Sequence, residues 1–272
     1  MRTIIPGPPG TGKTHRLMRY LNLELKRFKT KPEKIYYISF SNAATDEAKK
    51  RINNSKVNVS TMHYLGKEAL SINTKTQLLH GASKWKAFQN YSSICRDMSF
   101  ETFITDSGVP QYKNNHMKII EYARSKMISI QEAAIQLDLL HIVDVDLTIQ
   151  IEVDLKIYKK NQGMYEFSDM IKQFTLKEKC PSLDVVFLDE AQDLSPLQWD
   201  MFFYIEKNSH RSYIAGDDDQ TIYTFQGADP NIFINLKGRM DPQIKSRRVP
   251  RLIHKLAESI FPHMTQRLEK KW

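Results

Sequence analysis

The sequence predicts an α/β protein that has a parallel sheet and a mainly helical insertion. Three observations predict this fold class. A glycine-rich loop lies between a short apolar segment and a helix-like segment near the N-terminus. Strand-like and helix-like segments then alternate up to residue 71, and they return after residue 162. Between those points the spacing of apolar residues is mostly helical.

The glycine-rich loop fits the pattern G-x-x-x-x-G-K-[ST], which is typical of phosphate-binding loops. Ile4 and Ile5 precede it as a strand would, and residues 15–29 follow it with helical spacing. Glycines let backbone N–H groups turn toward a phosphate, and the helix adds its positive end. A chance glycine-rich turn is the alternative, but the flanking strand and helix favour a nucleotide site. The predicted cradle comprises Gly7, Pro8, Pro9, Gly10, Thr11, Gly12, Lys13 and Thr14.

The next part of the chain continues the alternation of strands and helices. Residues 35–40 are rich in β-branched and aromatic side chains and predict a second strand. Residues 42–52 predict a helix, residues 57–61 a third strand, and residues 62–70 another helix. This succession is typical of a sheet whose strands run parallel.

The middle of the chain predicts a helical insertion. Its candidate helices span residues 84–95, 115–127, 130–139 and 148–160. Five aromatic side chains are expected to form its small core, with base stacking as the alternative role. They are Trp85, Phe88, Tyr91, Phe100 and Phe103.

The α/β pattern returns with a buried-strand run at residues 183–188 and a helix at 197–205. A further strand is predicted at 211–215 and a helical segment at 249–260. We therefore divide the chain into four parts. They are 1–71 and 163–250 as two parts of one nucleotide-binding domain, 72–162 as the insertion, and 251–272 as a C-terminal helix that begins a further lobe.

Positive charge is concentrated at both ends of the sequence. Residues 1–60 carry 13 basic and 4 acidic side chains, and residues 237–272 carry 10 and 3. Residues 61–236 are acidic on balance, with 17 basic and 24 acidic side chains. A polyanionic partner would explain this distribution, although a solvated lysine-rich surface is the alternative.

The remaining composition favours a cytoplasmic protein, in a host cytoplasm if the source is viral. Cys95 and Cys180 lie far apart without metal-ligand spacing, as reduced thiols would. No apolar run approaches the length of a membrane span, so we expect no membrane association. The chain enters its first strand at once, which leaves no room for a signal peptide.

Two adjacent carboxylates, Asp189 and Glu190, directly follow the apolar strand at 183–188. In a parallel sheet, ligands lie at the carboxyl ends of strands, where the glycine-rich loop also lies. Asp189 could hold a magnesium ion together with Thr14, and Glu190 could orient and deprotonate an attacking water. An ordinary helix cap is the alternative for this pair.

Polar residues also follow the strand at 211–215. Gln220 has the reach and the neutral amide to contact a γ-phosphate or its water. Tyr223 and Phe225 come next and could be either core residues or platforms on which bases stack. Arg248 lies in the basic segment 245–251 and could stabilise γ-phosphate charge, with a surface basic cluster as the alternative.

Taken in order, seven segments resemble the first RecA-like domain of superfamily 1 DNA helicases of the UvrD/Rep/PcrA type. That domain also carries a helical insertion. The segments are Gly7–Thr14, Phe40–Ala44, Thr61–His63, Phe167–Ile171, Asp189–Asp193, Gly216–Tyr223 and Ser246–Arg248.

The resemblance implies binding of ATP and Mg²⁺ and ATP-driven 3′-to-5′ movement on single-stranded DNA with strand separation. It implies that Lys13 and Thr14 bind phosphates and magnesium, and that Asp189 holds the magnesium. Catalysis would use Lys13, Asp189, Glu190, Gln220 and Arg248. The family positions that line the DNA track fall at Phe40, Asn42, Thr61, His63, Tyr223 and Phe225.

Some positions depart from the family pattern. The family's adenine-contacting glutamine segment has no counterpart before Gly7. Its base-stacking aromatic falls at Arg247, whose planar guanidinium could still stack, and a usual lysine falls at Ala43. A second RecA-like domain does not fit before Trp272.

We therefore expect a motor lobe that is a weak ATPase until a second RecA-like lobe completes it. That lobe would come from another chain or from the rest of a longer protein. The alternative is a nucleotide- and DNA-binding module that no longer acts as a motor. A small-molecule P-loop kinase would not explain segments 40–42 and 216–223.

Overall fold

The computed structural model of the chain describes residues 1–104, 110–260 and 267–268. The strands are β1 Arg2–Pro6, β2 Ile35–Ser39, β3 Asn58–Ser60, β4 Thr102–Ile104, β5 Pro110–Tyr112, β6 Val185–Asp189, β7 Arg211–Gly216 and β8 Arg239–Met240. The helices are α1 Lys13–Lys26, α2 Asn42–Ile52, α3 Met62–Ala69, α4 Thr74–Gln77, α5 Ala82–Tyr91, α6 Asn115–Lys126, α7 Ile130–Gln136, α8 Val145–Gln162, α9 Phe167–Leu176, α10 Pro196–Lys207, α11 Pro230–Ile234 and α12 Arg251–Ile260.

Six strands form one parallel sheet in the order β3-β2-β6-β7-β1-β8. Ser39 at the end of β2 pairs with Asp189 at the end of β6, and Pro6 at the end of β1 pairs with Gly216 at the end of β7. The carboxyl ends of these strands therefore meet at one edge of the sheet. The predicted α/β fold with a parallel sheet flanked by helices is confirmed.

Helices cover both faces of this sheet, because successive side chains of a strand point to opposite faces. Ile38 and Leu188 point to the face covered by α3, α9 and α10. Their neighbours Tyr37 and Phe187 point to the opposite face, which α1 and α2 cover. All four side chains are almost fully buried.

Residues between α3 and α9 have a hydrophobic core of their own, built on α5, α6, α7 and α8. Trp85 stacks on Phe100 with ring centroids 5.3 Å apart, and Phe88 is fully buried beside them. These three members of the predicted core are confirmed. Tyr91 is 46% exposed, and its ring lies 5.1 Å from that of the core residue Tyr158. The side chain of Phe103 lies outside the described residues.

Several boundaries differ from the prediction. The helix predicted at 15–29 begins at Lys13 and ends at Lys26, because the chain reverses at Lys29 with a φ of 53°. The sequence analysis did not predict helices α4, α9 and α11, the antiparallel pair of β4 and β5, or the two-residue strand β8. The pair of β4 and β5 shows that the insertion is not wholly helical.

Two further observations bear on the sequence predictions. Cys95 and Cys180 are free thiols. Among the described residues, no helix has the length and apolar character that crossing a bilayer requires. The division of the chain at residues 71, 162 and 250 stays a prediction, and residues 261–266 and 269–272 of its last part lie outside the described residues.

Candidate functional site

The glycine-rich loop connects the end of β1 to the start of α1, as the motif predicts. Gly10 and Gly12 adopt φ angles of 74° and 89°, in the left-handed region that favours glycine. A Cβ added to Gly7 would lie 2.7 Å from the carbonyl oxygen of Gln243, and one on Gly10 would lie 2.6 Å from Arg248 Cβ. The loop is therefore tightly packed against segment 243–248.

Lys13 is buried beneath this loop. Its Nζ donates a hydrogen bond to the carbonyl oxygen of Gly7 at 2.8 Å and lies 3.9 Å from Asp217 Oδ2. The ammonium group is thus held by the loop backbone and by the end of β7. A positive charge in this position can neutralise a phosphate bound in the loop.

Thr14 and Asp189 meet at the carboxyl edge of the sheet. The Thr14 hydroxyl donates to Asp189 Oδ2 at 3.0 Å, and the Tyr37 hydroxyl donates to the same oxygen at 2.7 Å. The other carboxylate oxygen accepts from the backbone N–H of Glu190 at 3.1 Å. Burial, together with the charge of Glu190, raises the pKa of Asp189 to about 6.

These two side chains fit a magnesium ion. Thr14 and Asp189 supply adjacent oxygen atoms, the ligand type that Mg²⁺ prefers. A cation would also relieve the cost of ionising the buried Asp189 carboxyl. The part of the chain that the structure describes holds no group of three or more His, Cys, Asp or Glu side chains arranged for a metal. The remaining ligands would therefore be phosphate oxygens and water, as is usual for this ion.

Glu190 lies at a sharp turn directly after β6. Its backbone adopts φ 56° and ψ 45°, a left-handed conformation that costs free energy in a residue other than glycine. The turn takes the chain away from the sheet, and the Glu190 side chain is partly exposed. Gln192 Nε2 donates a hydrogen bond to Glu190 Oε2 at 3.1 Å.

The acidic run after β7 begins with the buried Asp217. Asp217 accepts a hydrogen bond from the Gln220 side-chain amide and also lies beside Lys13 Nζ. Asp217 therefore connects Gln220 to the lysine of the phosphate loop. Asp219 forms an ion pair with Arg267 at 2.8 Å. Asp217 and Asp219 are thus paired with basic side chains from the N-terminal and C-terminal parts of the chain.

The predicted basic residues lie on the outer side of the loop. The backbone N–H of Arg247 donates to the carbonyl oxygen of Gly10 at 2.9 Å. The Ser246 hydroxyl donates to the carbonyl oxygen of Pro9 at 2.8 Å. The side chains of Arg247 and Arg248 are exposed beside the loop. The structure thus brings this segment against residues 9–10, although the two are far apart in the sequence.

Three of the residues predicted to line a DNA track form a continuous aromatic surface. The rings of Phe40 and Tyr223 lie 4.8 Å apart between centroids, and those of Tyr223 and Phe225 lie 6.2 Å apart. Phe225 is 57% exposed. Phe40 directly follows β2, so this surface lies at the same edge of the sheet as Asp189.

A cavity of about 260 Å³ adjoins this aromatic surface. Phe40, His63 and Phe225 line one side of it, and Tyr112 and Tyr122 from the insertion line the other. Burial lowers the pKa of His63 to about 4, so its imidazole is neutral near pH 7. The cavity thus offers flat, mostly apolar walls between the sheet and the insertion.

The remaining two predicted DNA residues lie at helix N-termini. Thr61 caps α3, and its hydroxyl oxygen accepts a hydrogen bond from the backbone N–H of Tyr64 at 3.3 Å. Asn42 is the exposed first residue of α2. Within the described part of the chain, neither residue lines the cavity.

A buried group of charges joins the insertion to α9. The Glu166 carboxylate accepts from Lys159 at 2.7 Å, from Arg124 at 2.6 Å and from the Tyr112 hydroxyl at 2.9 Å. Although burial alone would raise it, Lys159 and Arg124 lower the pKa of Glu166 to about 2. Burial raises the pKa of the neighbouring Glu121 to about 7. These contacts fix the insertion beside the cavity.

Sequence reasoning missed several residues of this site. Tyr37 was predicted only as a strand residue, and Gln192 only as part of a motif. Tyr112, Glu121 and Tyr122 line the cavity from the insertion, where no motif marks them. Their contacts join segments far apart in the chain, so local spacing carried no signal for them.

A phosphate loop between β1 and α1, with a carboxylate at the end of a nearby parallel strand, defines a P-loop nucleotide-binding domain. Residues 2–241 match the UvrD/REP helicase N-terminal domain. The chain therefore belongs to this family, and the predicted resemblance is confirmed.

Curated relatives carry helicase names. The chain is 24% identical to "ATP-dependent DNA helicase Rep" of Buchnera aphidicola subsp. Baizongia pistaciae, over 84% of this chain and 35% of that protein. It is 25% identical to the Rep helicase of Buchnera aphidicola subsp. Acyrthosiphon pisum, over 96% and 43%. It is 23% identical to "Probable DNA helicase II homolog" of Mycoplasma capricolum, over 83% and 33%. The alignments thus span between 33% and 43% of these relatives.

Proposed function

We propose that this chain is a motor lobe of an ATP-dependent DNA helicase. It binds ATP–Mg²⁺ in the loop at residues 7–14 and single-stranded DNA on the aromatic surface. It hydrolyses ATP weakly by itself and faster when a second RecA-like lobe completes the site. The observation that carries the proposal is the contact of Thr14 with Asp189 at 3.0 Å, with Lys13 buried beside it in the loop.

In the proposed reaction, water attacks the γ-phosphorus of ATP. A bond forms between the water oxygen and phosphorus, and the bond from phosphorus to the β–γ bridging oxygen breaks, which gives ADP and inorganic phosphate. Glu190 accepts the proton that the water loses. Magnesium held by Thr14 and Asp189 would neutralise charge on the phosphate oxygens.

Lys13, Gln220 and Arg248 serve the γ-phosphate in this proposal. Lys13 neutralises its negative charge from beneath the loop. Gln220, which is linked to Lys13 through Asp217, contacts the γ-phosphate or its water without adding charge. The Arg248 side chain is exposed, and its Cβ lies next to Gly10 of the loop. From there its guanidinium stabilises the negative charge of the γ-phosphate in the transition state. Arg247 stacks on the adenine base through its guanidinium plane.

Single-stranded DNA would lie along the carboxyl edge of the sheet. Phe40, Tyr223 and Phe225 stack on its bases, which is favourable for every base because each has a π-face. Asn42, Thr61 and His63 contact the strand from α2 and α3. Since the nucleotide site lies at the same edge, opening and closing of the site would drive 3′-to-5′ movement and strand separation.

The second lobe is the partner that this proposal requires. Helix α12 presents aliphatic side chains to solvent: Leu252 is 79% exposed, Ile253 56% and Leu256 65%. We propose that this helix begins the connection to that lobe. The nucleotide-binding domain then consists of residues 1–71 and 163–250, with 72–162 inserted between them.

The competing proposal is a nucleotide- and DNA-binding module without motor activity. ATP hydrolysis measured with and without single-stranded DNA, in the wild-type chain and in Glu190→Gln, separates the two. A motor lobe shows hydrolysis that DNA stimulates and that Glu190→Gln abolishes, even if the wild-type rate is low. DNA binding without any turnover would favour the module and contradict the motor.

A further inference from the structure

Gln192 makes a set of contacts for which the sequence motif assigns no role. It lies in the short helical turn Ala191–Asp193 that follows Glu190, and it is 2% exposed. A buried primary amide has to satisfy two donors and one acceptor, so its hydrogen bonds define what it does.

The side chain of Gln192 is shared between three acidic residues. Its Nε2 donates to Glu190 Oε2 at 3.1 Å and to Asp193 Oδ2 at 3.0 Å. Its Oε1 accepts from the backbone N–H of Asp217 at 2.9 Å. Both donor hydrogens and the acceptor of the amide are therefore used.

The acceptor side of this amide is anchored to the sheet. Asp217 directly follows β7, the strand beside β6 in the sheet. A Cβ added to the preceding Gly216 would lie 2.9 Å from Gln192 Oε1, so the amide lies close against the backbone at this point. A glycine at residue 216 therefore leaves the amide its space.

Glu190 needs such an anchor to hold one orientation. It lies in a left-handed turn and its side chain is partly exposed, so burial alone does not fix the orientation of its carboxylate. Gln192 is also the only side chain among the described residues that donates a hydrogen bond to this carboxylate. A neutral donor orients a carboxylate without placing a positive charge on it, which would lower its proton affinity far more.

We infer that Gln192 is a positioning residue that holds the Glu190 carboxylate toward the attacking water. The inference rests on the proposed function, in which Glu190 is the proton acceptor. Since the hydrogen bonds of Gln192 within the described residues go to Glu190, Asp193 and Asp217, its loss slows the chemical step and leaves nucleotide binding intact.

A purely structural role for Gln192 makes a different prediction. The same amide ties the turn after β6 to the end of β7, and Asp217 lies beside Lys13. If this link between the two strand ends were the only contribution of Gln192, a substitution of Gln192 would lower thermal stability and weaken nucleotide binding. The maximal rate per bound nucleotide would then stay unchanged.

The test is single-turnover ATP hydrolysis with the 272-residue chain in excess and single-stranded DNA saturating. Gln192→Met keeps the length of the side chain and removes both hydrogen-bonding functions. We expect its maximal rate to fall about tenfold or more, while the protein concentration at half-maximal rate changes by less than about twofold. Gln150→Met, at an exposed position of α8, is the matched control and retains the wild-type rate.

A second variant keeps the inference falsifiable if Gln192→Met does not fold. Gln192→Asn keeps a neutral amide but shortens the side chain by one methylene, so the amide no longer reaches both Glu190 and the Asp217 backbone. We expect the same selective loss of maximal rate. A maximal rate within about twofold of the wild type in a folded variant would overturn the inference. A wild-type chain that neither binds nor hydrolyses ATP would instead refute the proposed function, and the inference would fall with it.

Discussion

The Thr14 hydroxyl donates a hydrogen bond to the Asp189 carboxylate at 3.0 Å, across a sequence separation of 175 residues. Thr14 lies in the first turn of α1, and Asp189 is the last residue of β6. The contact spans β7, which lies between β6 and β1 in the sheet. The parallel order of these strands thus brings the phosphate loop and the carboxylate to one edge.

Asp189→Asn tests whether this contact marks a magnesium site. The amide keeps the size of the side chain but removes its negative charge, so the site attracts a cation less strongly. We expect the Mg²⁺ concentration for half-maximal ATP binding to rise by about tenfold or more. Titration of Mg²⁺ at fixed ATP measures this change.

The control for this variant is Asp200→Asn, which removes an exposed carboxylate from α10. It leaves the Mg²⁺ dependence unchanged. The unliganded Asp189→Asn protein loses some thermal stability, because its amide nitrogen cannot accept a hydrogen bond that the carboxylate accepts from one of its three donors. An unchanged Mg²⁺ requirement in this variant would refute the assignment.

Phe225→Ala tests the aromatic surface as a DNA platform. Phe225 is 57% exposed, so its removal affects the core little while it deletes one stacking surface. We expect affinity for a single-stranded oligonucleotide to fall by about 1–3 kcal/mol, the contribution of one stacked base. Fluorescence anisotropy of a labelled oligonucleotide measures the loss.

Two control variants show whether the loss of DNA affinity comes from the missing stacking surface. Phe225→Trp keeps a stacking surface and retains the wild-type affinity. Phe28→Ala removes another exposed phenylalanine, which lies just after α1 with the Arg211 guanidinium over its ring, and it also leaves DNA affinity unchanged. Equal affinity of Phe225→Ala and the wild type would show that DNA does not use this surface.

Glu121→Gln tests the charges between the insertion and α9. Burial raises the pKa of Glu121 from its ordinary 4.5 to about 7 despite the nearby Arg124. Between those pH values the folded chain holds more protons than the unfolded chain, so stability falls as pH rises. Above about pH 7 the carboxyl is ionised in the folded chain as well, and the stability that its protonation contributed is lost.

Ionisation of the Glu121 carboxyl therefore destabilises the wild-type fold as pH rises. From about pH 4.5 to about pH 7 ionisation of Glu121 lowers the wild-type free energy of unfolding by up to about 1.4 kcal/mol per pH unit. Glu121→Gln cannot ionise and escapes this loss, so it becomes more stable than the wild type toward the alkaline end. Urea unfolding across this range measures it, with exposed Glu178→Gln as control. A wild-type minus variant difference that does not change with pH would contradict the assigned pKa.

Local signals predicted much of the fold. Helix α2 spans the predicted residues Asn42–Ile52, because Ser41 caps it and apolar residues follow at helical spacing. Strand β8 has two residues and exists only through its pairing with β1, so no local pattern could indicate it. The pair of β4 and β5 was missed for a related reason, since each strand has three residues.

The contacts of the candidate site also include some that the sequence predicted and some that it did not. The proximity of Lys13, Thr14 and Asp189 followed from the motif and from the rule that carboxyl ends of parallel strands meet. The hydrogen bond from Tyr37 to Asp189 joins residues 152 positions apart, and nothing in the sequence near Tyr37 indicates it. The contact of Gln192 with the Asp217 backbone likewise depends on how two strand ends are placed.

The most direct test of the nucleotide site is calorimetric titration of ATP–Mg²⁺ into the wild-type chain and into Lys13→Met. Lys13 is the buried cation of the loop, whereas Lys26→Met removes an exposed lysine from the far end of the same helix. We predict one nucleotide per wild-type chain, and affinity at least about tenfold weaker for Lys13→Met but unchanged for Lys26→Met. Equal affinity of Lys13→Met and the wild type, or no binding by the wild type at millimolar nucleotide, would contradict the proposed site.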